Sequence, residues 1–107
     1  MIEIGIPISS AHSVDEEGVA LTTTALGLPS GTDDERWLLT FTSATGSDVV
    51  HITESGAENA GGYTVRAGET YTLPGTVRRG SLASLILITA EEQAATVTIS
   101  ASLQRAP

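Results

Sequence analysis

Two histidines, His12 and His51, are the side chains that could act as general bases or metal ligands near neutral pH. His12 follows a serine-rich stretch that predicts a loop, whereas His51 lies in an alternating segment that predicts a strand. A zinc site would need a third ligand, and no spacing around either histidine indicates one. A serine hydrolase would need a serine activated by a histidine and oriented by a carboxylate, and the chain has no Gly-x-Ser-x-Gly elbow that would mark such a serine. The sequence therefore predicts no catalytic residue, no metal site and no cofactor.

Two acidic triplets, Asp15-Glu16-Glu17 and Asp33-Asp34-Glu35, are the next candidates, because calcium prefers carboxylate oxygens as ligands. Consecutive carboxylates diverge in an extended loop, so a calcium site would also need Asp48 or Glu58 from another loop. Solvated loop charge is the simpler interpretation, and loop calcium is the alternative.

Arg78 and Arg79 form a small basic spot that could bind a carboxylate or a phosphate on a partner. The alternative is a solvated turn that ends at Gly80. We keep both arginines as candidate interface residues.

The stretch from Gly68 to Gly75 is similar to part of the second cupin motif, in which a metal-binding histidine follows the final glycine. Residues 76–80 contain no histidine, and His51 stands alone where the first motif has a His-x-His pair. The resemblance implies at most a metal-free, cupin-like barrel or a degenerate cupin-like enzyme. An ordinary strand-turn-strand accounts for the same residues.

The composition is dominated by small and hydroxylated residues, with 15 Thr, 13 Ala, 11 Ser and 11 Gly in 107 residues. The net charge is −8, and the five basic residues are all arginine. This charge argues against binding to nucleic acid or to an anionic membrane, since both need clustered basic residues. The absence of cysteine excludes disulfides, thiolate catalysis and cysteine-ligated zinc. The N-terminal residues lack a basic region and a continuous apolar stretch, which predicts no signal peptide.

Hydrophobic alternation with period two predicts the elements that would position these side chains. About eight strands are expected, separated by short Gly, Pro, Asp and Ser clusters. The predicted strands are 2–8, 19–26, 36–42, 48–53, 63–66, 70–73, 82–89 and 95–103. We expect 36–42 and 48–53 to form a hairpin, and 33–36 to form one helical turn capped by Thr32. The fold class is all-β, as one antiparallel β-sandwich or jelly-roll domain over residues 1–107.

Four isoleucines alternate at the N-terminus: Ile2, Ile4, Ile6 and Ile8. Pro7 lacks a backbone N–H, so residues 1–10 are expected to form an edge strand or an arm. Such a strand could extend the sheet of a neighbouring subunit, which makes these isoleucines candidate interface residues. Pairing within its own sandwich is the alternative.

The segment from Trp37 to Leu103 resembles the small β-sandwich virion proteins of tailed bacteriophages. The pattern includes the strand 37–42, a short strand at 49–52, the segment 63–73 and the Thr/Val-rich strand 95–100. The resemblance implies a structural protein that decorates capsids, joins head to tail or forms spike bases. It also implies capsid or other virion proteins as partners, homo-oligomers, and a location in the virion after synthesis in the host cytoplasm.

A carbohydrate-binding or adhesion module on a similar sandwich is the alternative function. Tyr63 and Tyr71 lie near glycine-rich loops, where aromatic side chains could form a platform for a sugar ring.

Overall fold

A computed structural model describes residues 3–4, 7–54 and 63–105 of the chain. Ten strands and two short helices occupy these ranges. The strands are β1 (Glu3–Ile4), β2 (Ile8–Val14), β3 (Val19–Ala20), β4 (Arg36–Ser43), β5 (Val50–Glu54), β6 (Tyr63–Val65), β7 (Thr70–Thr72), β8 (Val77–Arg78), β9 (Leu85–Thr89) and β10 (Ala95–Arg105). The helices are α1 (Thr23–Leu26) and a 3₁₀ helix (Arg79–Ser84). Neither helix is long and apolar enough to cross a membrane.

The strands form two antiparallel sheets, and the predicted all-β, sandwich-like fold is confirmed. The six-stranded sheet has β10 next to β4 at its centre. Both β1 and β2 pair with the outer side of β10, and both β7 and β8 pair with the outer side of β4. The four-stranded sheet has the order β3-β9-β5-β6.

The two central strands of the six-stranded sheet follow the predicted alternation. On β4, Trp37, Leu39 and Phe41 are buried, and on β10 Val97 and Ile99 are buried beside them. Each side chain of this size contributes about 1.5–3 kcal/mol by leaving water.

The outer face of the same sheet is lined with hydroxyl groups. The hydroxyls of Thr40 and Thr72 lie 3.1 Å apart, and those of Thr42 and Thr70 lie 3.2 Å apart. These threonines make the middle of the outer face polar and uncharged, whereas the exposed Arg36 and Arg78 carry charge at one end of it.

The predicted hairpin between 36–42 and 48–53 is wrong, because β4 and β5 belong to different sheets. The intervening turn carries the chain from one sheet to the other. Each strand has an apolar face, and the faces become buried by packing across the sandwich rather than by lying side by side. The turn between β6 and β7 changes sheets in the same way.

The predicted strand over 19–26 is also wrong beyond Ala20, because the chain forms α1 instead. The Thr22 hydroxyl accepts a hydrogen bond from Ala25 N at 3.0 Å, which caps the helix N-terminus. Gly27 ends the helix with φ of 70°, a conformation that favours glycine. Leu26 is buried, so this one turn supplies a core side chain.

Three further local predictions differ from the structure. The residues expected to form a helical turn at 33–36 form a tight turn, in which Glu35 N donates to Thr32 O. The start of the predicted strand at 82–89 belongs to the 3₁₀ helix, and the strand begins at Leu85. The serine-rich segment around His12, expected to be a loop, is β2.

Both edges of the six-stranded sheet are interrupted next to a proline. Between Ile4 and Ile8 the edge advances four residues, while their partners Gln104 and Ala101 are three apart. The opposite edge changes register between β7 and β8, around Pro74. Register breaks of this kind limit the length of regular edge that another strand can pair with.

Candidate interaction surface

The two histidines lie in different sheets and do not form a shared site. His12 is half-buried on β2, and His51 is half-buried on β5. No group of three metal-ligating side chains occurs in the described ranges. The histidines are thus separated by the fold.

His12 has one hydrogen-bond partner of interest, Ser10. The two side chains face the same side of β2, and Ser10 Oγ lies 2.8 Å from His12 Nε2. Burial lowers the pKa of His12 from its ordinary value, so the neutral ring is favoured. No carboxylate bonds to this ring in the described part of the chain, so the pair lacks the orienting group of a catalytic triad.

The first acidic triplet is used to hold two turns. Asp15 Oδ1 accepts from Glu17 N at 2.9 Å, and Glu16 Oε2 accepts from Glu92 N at 3.1 Å. Asp48 Oδ2 similarly accepts from Ala94 N at 3.0 Å. These carboxylates bond to separate backbone groups. Glu58, the other residue considered for calcium, lies outside the described residues.

The second acidic triplet pairs with the two consecutive arginines. Arg78 Nη2 donates to Asp34 Oδ1 at 3.1 Å, and Arg79 Nη1 donates to Glu35 Oε1 at 3.0 Å. Arg79 N also donates to Glu35 O, so the loop before β4 is fastened to the 3₁₀ helix. Both guanidinium groups therefore have partners within the chain, and their role at an interface stays a prediction.

The N-terminal isoleucines predicted for an interface are only partly described. Ile2 and Ile6 lie outside the described residues. The backbone of Ile4 pairs with Gln104, and that of Ile8 pairs with Ala101. The strands that contain Ile4 and Ile8 thus extend the chain's own sheet, and an interface role for the four isoleucines stays a prediction.

Tyr63 and Tyr71 meet where the two sheets come together at one side of the sandwich. Their ring centroids lie 5.2 Å apart with an interplanar angle of 32°. Tyr63 is 45% exposed, and Tyr71 is half-buried against the core. Burial, with the nearby Tyr63 phenol, raises the pKa of Tyr71. The pair closes the side formed by the edge strands β6 and β7.

An open cleft of about 410 Å³ lies at one end of the sandwich, between the turns that follow β2, β4 and β9. Ser13, Asp15, Thr45, Ser47 and Thr96 contribute its polar lining. Ser47 Oγ accepts a hydrogen bond from Thr96 N at 3.1 Å. This bond links the turn after β4 to the start of β10 at the cleft.

The stretch that resembles a cupin motif contains two turns. Gly68 lies in the turn before β7, with φ of 76°, and Pro74 and Gly75 lie in the break between β7 and β8.

The exposed edge of β2 is the surface that the sequence did not predict. Ser9, Ala11 and Ser13 are exposed along it, while Ser10 and His12 are half-buried on the opposite side of the strand. Exposed and half-buried positions alternate along this strand. The sequence does not reveal the alternation, because residues 9–13 are small or polar on both faces and differ little in hydrophobicity. We call the backbone N–H and C=O groups of Ser9, Ala11 and Ser13 the β2 edge.

The fold of this chain is similar to those of solved structures. No family model matches the chain, and no curated protein sequence matches it. The fold is similar to that of a Bacillus endospore appendage protein, described as belonging to a novel family of disulfide-linked pili. The likeness covers 98% of this chain and 89% of that chain, with a TM-score of 0.53 and 12% sequence identity. The neighbour is a structural protein with the same all-β architecture.

Proposed function

We propose that this chain is a non-enzymatic structural subunit that assembles with copies of itself. The observation that carries this proposal is the likeness to a pilus protein over 98% of the chain. The uncharged, threonine-lined middle of the outer face and the exposed β2 edge also support it, since both suit packing against another protein surface.

The manner of assembly must differ from that of the neighbour. Its pili are disulfide-linked, whereas the 107 residues of this chain include no cysteine. An assembly of these residues is therefore held by non-covalent contacts, and a reducing agent leaves it intact.

The assembly that we propose is part of a phage-like virion, in which the subunit binds capsid or head–tail proteins. The strand and turn pattern from Trp37 to Leu103, which resembles small virion proteins of tailed phages, supports this more specific role. The protein would then be made in the host cytoplasm and located in the virion.

Self-association is tested by sedimentation velocity and light scattering over micromolar to millimolar protein concentrations. We expect the mass to exceed that of one 11.0 kDa chain, with the same distribution with and without a reducing agent. A protein that remains monomeric at every concentration would contradict the proposal.

The virion role has a separate test. Particles purified from the virus or cells that encode the chain are sedimented through a density gradient and analysed by mass spectrometry. We expect the protein to co-sediment with capsid proteins at a fixed ratio. Its absence from particles would contradict the virion role, and the protein would then remain a candidate subunit of another assembly.

Carbohydrate binding is the second candidate function, and the Tyr63–Tyr71 pair favours it. Two rings 5.2 Å apart, one of them 45% exposed, offer a small aromatic surface for a sugar ring. A glycan array, run with and without a chelator, tests this candidate with Tyr63→Ala as the matched variant. Binding that Tyr63→Ala abolishes would support it, and no binding in either condition would remove it.

A further inference from the structure

The strand β2 differs from the other edge strands of the described chain in its length. It spans seven residues, whereas β1, β3, β6, β7 and β8 each span two or three. Its sequence, ISSAHSV, contains no Asp, Glu, Lys, Arg or Pro. Native edge strands are commonly protected by charge, proline or short length, and within its seven residues β2 has none of these.

The pairing of β10 determines which backbone groups of β2 face away from the sheet. Ala44 N donates to Thr96 O, and Thr96 N donates to Ser47 Oγ, so the backbone of Thr96 faces β4. Alternate residues of an antiparallel strand point to opposite sides, so the backbone of Val97 faces β2 and bonds to its partner His12.

The residues that alternate with His12 therefore point their N–H and C=O groups outward. These residues are Ser9, Ala11 and Ser13, whose groups form the β2 edge. Asp15 continues the alternation, and its carbonyl accepts from Thr89 N, away from β10. Within the described ranges, the three residues form no backbone hydrogen bond on that side.

The sequence of β2 is self-complementary about Ala11. If a second copy runs antiparallel with Ala11 opposite its own equivalent, Ile8 lies opposite Val14 and Ser9 lies opposite Ser13. Ser10 lies opposite His12, a pairing of two side chains that already hydrogen-bond within one chain at 2.8 Å. The alignment brings apolar residues together at both ends and places no charge in the strand pair.

We propose that the β2 edge pairs with the β2 edge of a second copy of this chain, antiparallel about Ala11. This inference rests on the proposed self-assembly and identifies the β2 edge as the surface through which two copies bind. Each of the three outward residues faces a residue whose groups also point outward, which gives roughly six hydrogen bonds across the contact. The two six-stranded sheets join into one continuous sheet across a twofold axis.

Single cysteines test this register, because the chain has no cysteine of its own. In the proposed dimer the two Ala11 Cα atoms lie about 5.5 Å apart, within the range of a disulfide. Ala11→Cys alone is therefore expected to form a cross-linked dimer under mild oxidation. Thr98→Cys is the matched control: Thr98 pairs with Ala11 and is also exposed, but its copies would be about 14 Å apart.

A mixture of two variants tests the alignment more sharply. Ser9→Cys and Ser13→Cys should each fail to cross-link alone, since equivalent positions are about 13 Å apart along the strands. Mixed together, they should form the disulfide heterodimer. Lysines provide a second measurement without oxidation: Ala11→Lys should weaken dimerisation up to about fivefold by placing like charges opposite each other, while Thr98→Lys should not.

The outcomes separate this inference from the proposed function. Cross-linking of Ala11→Cys and of the mixture, but not of Thr98→Cys, supports pairing through the β2 edge. An oligomer in which Thr98→Cys cross-links as readily, or in which Ala11→Lys assembles normally, overturns the inference and leaves self-assembly standing. A wild-type chain that is monomeric at every concentration overturns both.

Discussion

Arg79 Nη1 lies 3.0 Å from Glu35 Oε1, in an ion pair whose side chains are only 10% and 23% exposed. The adjacent pair joins Arg78 and Asp34 at 3.1 Å, with side chains that are 48% and 89% exposed. Two ion pairs of the same chemistry at neighbouring positions thus differ mainly in their access to solvent. Comparing the two pairs therefore shows how much shielding from solvent adds to the stability that an ion pair contributes.

Arg79→Ala is expected to lower the free energy of unfolding by about 1.5–3 kcal/mol, because it leaves the shielded Glu35 carboxylate without its charged donor. Arg78→Ala should cost less than about 1 kcal/mol, since water replaces an exposed partner at little cost. Urea denaturation of both variants measures the difference. Equal losses would contradict the role assigned to shielding.

Gly31→Ala is expected to weaken the same ion pair without altering either charged residue. A Cβ atom at position 31 would overlap the Glu35 carboxylate, so that side chain must move. We expect a loss of about 1–2 kcal/mol, and a smaller loss when Arg79 is already alanine, because the two changes act on one contact. Gly75→Ala is the control, since its Cβ would enter open space, and it should change stability by less than about 0.5 kcal/mol. Full additivity of the double variant would argue against the coupling.

The free energy of unfolding is expected to fall on mild acidification because of His12. Burial lowers the pKa of the folded His12 ring below its ordinary value of about 6.5, so the unfolded chain binds a proton more readily. Stability is therefore fully present above about pH 6.5 and declines as the pH falls through that value toward the folded pKa. Urea midpoints between about pH 7.5 and 5.5 measure the slope. His12→Gln should flatten it, and a slope unchanged by His12→Gln would refute the assignment.

Gly27 predicts a backbone effect at the end of α1. Its φ of 70° is strained for residues with a side chain, so Gly27→Ala should cost about 1–2 kcal/mol even though its Cβ meets no atom within 4 Å. Asparagine tolerates this conformation better than alanine, so Gly27→Asn should recover part of the loss. Thermal unfolding of the two variants provides the comparison. Melting temperatures equal to that of the wild-type protein for both variants would show that the conformation at position 27 carries no cost.

The sequence predicts strands well where hydrophobic contrast is strong. On β4 and β10, bulky residues such as Trp37, Phe41 and Ile99 alternate with threonine and serine, so their inward faces were predicted. The strand prediction for residues 22–26 was wrong. Threonine favours strands by propensity, but it caps a helix when its hydroxyl accepts a hydrogen bond from a free backbone N–H.

Long-range relationships were beyond the reach of the local pattern. Nothing in the alternation of β4 and β5 indicates that the turn between them changes sheets, since that depends on packing of their apolar faces across the sandwich. The exposed Tyr63 was predicted as a candidate binding residue, whereas the β2 edge was not. Ser9, Ala11 and Ser13 acquire their outward backbone groups only through pairing with a strand at the other end of the chain.

The position of β10 sets the order in which this molecule can fold. β10 follows every other strand of the described chain, yet it lies between β2 and β4 and pairs with both. During synthesis, the six-stranded sheet cannot close until the ribosome has released the last of these strands. Contacts between residues so distant in sequence slow folding, because the chain loses much conformational freedom before they form. Until β10 pairs with them, β2 and β4 have unpaired edges that can associate with other chains.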